Sequence, residues 1–212
     1  MTDNHNSLII SYLGLRRIIG IIGICHPIVL YFGGVWVFST GLQTSMSSYY
    51  YTGMRDVFVG LIFVSGFFLL CYHGYDKHDR IVSLIAGFCA LLVALFPTSP
   101  PQNPTHFEKI IGGIHIGSAF IFLSALAWFC LILFTRGSPE ADVSRNKKRR
   151  NLIYRCCGVT IIISLLATSG FFMSAWLQQK IGPYQPIFAA ETVAFIAFGI
   201  AWLIKGQTLF TD

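Results

Sequence analysis

The sequence predicts an all-α fold, a six-helix transmembrane bundle with both termini cytoplasmic, and three observations carry that prediction. Of 212 residues, 54% are hydrophobic and only 11% are charged, against roughly 25% charged in an ordinary soluble domain. The apolar residues form continuous runs rather than alternating every second residue, which excludes a β-barrel. Lys and Arg collect in the short segments between alternate runs, as they do on the cytoplasmic side of membrane proteins. Residues 1–212 are therefore read as one transmembrane domain.

The predicted spans are about Ile18–Phe38, Val57–Tyr72, Ile81–Pro97, Ile110–Phe134, Leu152–Leu177 and Pro186–Ile204. Each approaches the roughly 20 residues that a helix needs to cross hydrocarbon. Span one follows Arg16–Arg17 and carries Gly20 and Gly23, which permit close helix contact in lipid. It also carries His26 and Pro27, and the proline frees a carbonyl one turn earlier. No basic start with an apolar core and a small-residue cleavage site precedes it, so span one is expected to remain in the protein.

Span two is short and gains length if it begins near Gly53. Span three is also short and suits a thinner region of bilayer. Lys77 and Arg80 lie between them, and His73, His78 and Asp79 in the same turn are expected to be solvated. The segment PTSPPQNPTHFEK reads as a rigid extracytoplasmic connection, because its prolines discourage helix.

Span four carries Gly112, Gly113 and Gly117, a small-residue pattern for packing inside the bundle or between subunits of a homo-oligomer. Gly137–Arg150, ending in RNKKRR, is the one long hydrophilic loop, a topology determinant that could also meet anionic lipid. Span five holds Cys156–Cys157, on different sides of a helix. Span six holds Glu191 and is followed by Lys205. The positive segments before span one, after spans two and four and after span six face one side, which makes the protein N-in/C-in in a bacterial inner membrane.

The net charge of +6 does not indicate nucleic acid, because it is divided among these loops. Membrane lipids are the expected partners. All six cysteines lie in or beside apolar runs and form no CxxC, so neither a disulfide framework nor a redox motif is indicated.

The polar residues that do not fit a plain bundle converge on one side. The stretch TSMSSYYYTGMRDVFVG brings hydroxyls, three tyrosines and Arg55–Asp56 to the outer mouth of span two. At about 1.5 Å per residue, His115 and Glu191 lie roughly 8 Å below the outer starts of spans four and six. His26 lies near the midplane, and Ser118 shares the face of His115. A charge in hydrocarbon costs about 2.5–3.5 kcal/mol even on permissive scales, so Glu191 needs a partner such as Arg55 or His115, or a proton.

These residues, His26, Ser48, Arg55, Asp56, His115, Ser118 and Glu191, are the candidate binding site. The same set could serve as an interhelical polar clamp, and Tyr49, Tyr50 and Tyr51 as an interfacial aromatic belt. Two histidines and two carboxylates can ligate zinc, but no pair has the i, i+4 spacing of a preformed helical site, and no metal ligand or cofactor is assigned. Bis-histidine haem would need His26 and His115 at matching depths. A His–carboxylate pair could act as acid and base, with Ser45, Ser47, Ser48 or Ser118 as nucleophile, although no GxSxG is present.

The serine- and tyrosine-rich loop running into RD, ALFPT closing span three, HIGSAF in span four and a glutamate ahead of FGIAWLIKG resemble features of one group of bacterial membrane proteins. These are uncharacterised six-helix families distantly related to the DRAM and FRAG-type proteins of eukaryotes. The resemblance covers nearly the whole chain. It implies a six-helix integral protein with eukaryotic relatives linked to lipid remodelling and trafficking, and no catalytic residues. The alkaline-ceramidase and adiponectin-receptor superfamily is a poorer match, being seven-helical with a histidine pair near its end, where spans five and six here have none.

The sequence thus points to recognition of a lipid or small amphipathic ligand in an outward-facing pocket, with Arg55 holding an anionic group. The alternatives are an intramembrane lipid hydrolase or transferase, and a small transporter or channel; the residues do not decide whether the protein is an enzyme.

Overall fold

The computed structural model describes residues 2–74, 76–136 and 144–208. Among the described residues there is no strand, and there are seven α-helices: α1 (Thr2–Phe32), α2 (Arg55–Cys71), α3 (Lys77–Leu95), α4 (His106–Trp128), α5 (Arg145–Met173), α6 (Ala175–Ile181) and α7 (Pro186–Lys205). The six longer helices close a ring in the order α1, α2, α3, α4, α5, α7 and back to α1.

Among the described residues, five segments are long and apolar enough to cross a membrane: Tyr12–Val37, Lys77–Leu95, His106–Leu133, Arg145–Met173 and Pro186–Lys205. Helix α2 has 17 residues, which at 1.5 Å each gives about 26 Å. It packs mainly along α3 and more lightly against α1.

The helix ends follow local chemistry. Thr105 and Glu108 form a reciprocal cap at the start of α4, each accepting the other's backbone N–H at 3.3 and 2.8 Å respectively. Pro186 opens α7 at a position where a helix needs no N–H. Ser174 breaks the fifth expected span: it ends α5 and accepts the Leu177 N–H of α6 at 3.3 Å. That span accordingly stops at Met173 rather than Leu177.

Small residues set the tightest contact. A Cβ on Gly199 would come within 2.6 Å of the Gly20 carbonyl oxygen, and one on Gly20 within 2.8 Å of the Gly199 oxygen. Helices α1 and α7 therefore meet backbone to backbone, as the glycines of span one suggested. The glycines of α4 behave differently. Gly112 faces Ser99, while a Cβ on Gly113 or Gly117 would meet nothing within 4 Å.

One end of the bundle is basic, and its packing departs from expectation in three places. Arg16 lies inside α1 rather than before a span, and only 4% of it is exposed. Its guanidinium lies 4.3 Å from the Tyr12 ring and donates to the Tyr72 hydroxyl at 3.4 Å, so stacking and hydrogen bonding replace water. The Tyr72 ring continues into a buried cluster with Phe129 and Trp202.

Asp79 is buried rather than solvated, 3.7 Å from Arg136, which also bridges Asp76 at 2.9 Å. The positive φ of Gly74, at 63°, folds the turn onto Asp79. The basic run Arg145–Arg150 is helical, because Ser144 caps α5 by accepting the Lys147 N–H at 3.1 Å. Residues 137–143, the rest of the expected loop, lie outside the described residues.

Candidate functional site

At the opposite end, the chain between α1 and α2 folds inward as a short 3₁₀ turn, Ser47–Tyr51. Tyr49 is its anchor, fully buried against Phe188 and under Gly34, where a Cβ would come within 2.7 Å of the tyrosine ring. Two bonds tie this loop to α7. Glu191 Oε2 accepts the Met46 N–H at 2.6 Å, and the Thr44 carbonyl accepts the Phe188 N–H at 3.1 Å. A third runs from the Tyr51 hydroxyl to the Thr98 carbonyl, in the proline-rich connection.

His115 projects from α4 to meet this loop. Its Nδ1 is 2.7 Å from the Phe96 carbonyl oxygen and its Nε2 is 2.8 Å from Ser47 Oγ. Phe96 is the extended C-cap residue beyond the end of α3, just before Pro97, so its carbonyl meets no helical donor. A carbonyl can only accept, so Nδ1 carries the proton and Nε2 accepts from the Ser47 hydroxyl. Nearby, the Ser48 hydroxyl links those of Thr44 and Ser45 at 2.7 and 2.8 Å.

These groups form the polar back wall of a cavity of about 490 Å³, within the size range of small-molecule pockets. Thr168 and Ser169 of α5 add hydroxyls, and Leu123, Leu165 and Ile187 add apolar surface. Ile116, Phe120 and Phe172 also line the cavity, yet are 49%, 52% and 53% exposed. They face the outside of the bundle, so the cavity opens sideways between α4 and α5. Helix α5 lies close to the segment that continues α4, Phe129–Leu133, at the basic end, where a Cβ on Gly158 would come within 2.4 Å of Leu131.

Of the residues expected to form the site, Ser48, His115 and Glu191 line this cavity. Four do not. Arg55 stands at the exposed start of α2, donating to the Tyr50 hydroxyl at 2.6 Å with its guanidinium 4.3 Å from that ring. Asp56 is exposed in the first turn of the same helix, where the dipole favours a carboxylate. His26 is turned into the bundle, 1% exposed, between Phe58 and Phe195, with no hydrogen-bond partner for either ring nitrogen. Ser118 is buried one turn beyond His115 and is not among the residues that line the cavity.

Sequence reasoning placed Ser48 in the site and left Ser47 among several serines; the structure puts Ser47 on the imidazole. It also missed Thr168 and Ser169, whose signal is two adjacent hydroxyls within an otherwise apolar span. Among the described residues, no three His, Cys, Asp or Glu side chains gather closely enough to hold a metal ion. No family model, curated protein or solved structure matches the chain.

Proposed function

We propose that this is a six-span membrane protein that takes an acyl-bearing amphipath from the bilayer into the cavity between α4 and α5. The observation that carries the reading is the two-sided lining. A polar wall of Ser47, His115 and Glu191 sits behind a rim of exposed apolar residues, Ile116, Phe120 and Phe172. In a membrane those rim residues face lipid tails, so a chain enters sideways while its polar linkage reaches the hydroxyls and imidazole.

Helix α2 counts as the sixth span, since about 26 Å is close to the roughly 30 Å hydrocarbon core and modest thinning covers the difference. With the basic end in the cytoplasm, the cavity opens in the outer half of a bacterial inner membrane, and both termini are cytoplasmic. Arg55 has no role in this pocket. The resemblance to the DRAM and FRAG-type families is consistent with a lipid as ligand.

The test is the lipid content of protein purified in mild detergent, for wild type and Ala119→Trp, an indole placed in the cavity from α4. Stoichiometric lipid in the wild type, lost in the variant at unchanged thermal stability, is expected. Equal lipid in both would overturn the reading.

A further inference from the structure

We infer that Ser47 and His115 are the nucleophile and general base of an acyl-transfer site, acting on the carboxylic ester of a lipid held in the cavity. The inference rests on the proposed lipid pocket and adds chemistry to it. Its basis is the chain of two hydrogen bonds, Phe96 carbonyl to Nδ1 at 2.7 Å and Nε2 to Ser47 Oγ at 2.8 Å. The first fixes the tautomer and ring orientation, and the second aims the basic lone pair at a hydroxyl. A nucleophile in reach of a base that is itself oriented by a third group is the geometric signature of an activated serine.

Other hydroxyls show what is particular to Ser47. Ser65 and Ser169 donate to carbonyls one turn back, of Leu61 and Leu165, each at 2.8 Å, the usual fate of a helical serine. Ser48 bonds to hydroxyls alone among its side-chain contacts. Ser47 bonds to the ring of a histidine that is 2% exposed, and its hydroxyl fronts the cavity. Glu191 acts as a positioning residue: by holding the Met46 N–H it fixes the backbone immediately before the nucleophile.

In the first step Ser47 Oγ attacks the ester carbonyl carbon while its proton passes to His115 Nε2. The ester C–O bond then breaks, and His115 gives that proton to the departing alcohol. The acyl group is left on Ser47. Water, or an acceptor alcohol, next gives its proton to Nε2 and attacks the acyl carbon. Ser47 leaves and takes the proton back, so the site is restored with a free fatty acid or a new ester as product.

The experiment uses a long-chain alkyl fluorophosphonate on purified protein in detergent, with retained lipid measured on the same samples. Attack by Ser47 forms a phosphorus–oxygen bond and expels fluoride, leaving a stable adduct that mass spectrometry maps to one residue. The expected result is a single adduct on Ser47, absent in Ser47→Ala and formed about 100-fold or more slowly in His115→Gln. Wild-type protein that retains lipid but forms no adduct overturns the chemistry and leaves the pocket standing. An adduct on Ser45 or Ser48 overturns the assignment. Neither lipid nor adduct removes both readings. The wild-type arm needs no variant to fold, and a serine that only packs against histidine forms no adduct.

Discussion

Glu191 Oε2 accepts the Met46 N–H at 2.6 Å, so a carboxylate on the last long helix holds the loop that follows the first. The bond needs an acceptor oxygen at that place. Glu191→Gln offers one and is expected to unfold close to the wild-type temperature. Glu191→Ala leaves the N–H of Met46, a residue 3% exposed, without its acceptor, at a cost of about 1–3 kcal/mol. Thermal unfolding in detergent compares the two. A glutamine variant as unstable as the alanine one would show that the charge, not the acceptor, holds the loop.

His26 has the opposite character. Both its ring nitrogens are buried without a hydrogen bond, between the rings of Phe58 and Phe195. Replacing a buried, unsatisfied polar ring with an apolar side chain of similar size removes a penalty of about 1–3 kcal/mol. His26→Leu is therefore expected to raise the unfolding temperature and leave lipid retention unchanged. A lower unfolding temperature would mean that His26 holds a partner in the membrane.

The glycine contacts separate packing from mere composition. A methyl on Gly199 lies within 2.6 Å of a backbone oxygen of α1, which cannot turn aside. Gly199→Ala is expected to lose about 1–3 kcal/mol. Gly113→Ala, with nothing within 4 Å, is expected to be neutral or to gain up to about 1 kcal/mol from helix propensity. Unfolding midpoints of the pair decide this. Loss at Gly113 would point to a helix from a second copy packing there.

Much of this architecture is legible in the chain, because apolar run length and the placement of Lys and Arg are strong, local signals. A close contact on α1 was expected from Gly20 and Gly23, but neither α7 nor Gly199 was identified as its partner. Arg16 and Asp79 misled, since each looks like a solvated loop charge until the fold brings Tyr72 and Arg136 beside it. Of the residues singled out, His115 and Glu191, polar groups in apolar helices, line the cavity, whereas Arg55 and Asp56, which drew attention by their charge, lie outside it. That Ser47 rather than Ser48 meets the imidazole depends on the phase of one 3₁₀ turn. No spacing rule encodes it.

The turn at the basic end has a pH signature. The Asp79 N–H, with Arg136 beside it, holds the Asp76 carboxyl below the usual carboxylate range. A carboxylate lowered on folding adds stability above its unfolded pKa, near 3.9, and loses that contribution as pH falls through the folded value. The unfolding temperature of wild type is expected to exceed that of Asp76→Ala at neutral pH, with the gap closing below about pH 4. A gap independent of pH would assign the effect to side-chain packing.

The most direct measurement is photo-crosslinking in proteoliposomes with a phospholipid bearing a diazirine midway along one acyl chain, adducts being mapped by mass spectrometry. Adducts concentrated on Phe120, Leu123 and Leu165, and lost in Ala119→Trp, are the expected result. Adducts spread evenly over outward residues of the other helices, such as Phe63, Phe67 and Phe88, and unaffected by the tryptophan, would show that lipid only surrounds the protein and would contradict a lipid pocket between α4 and α5.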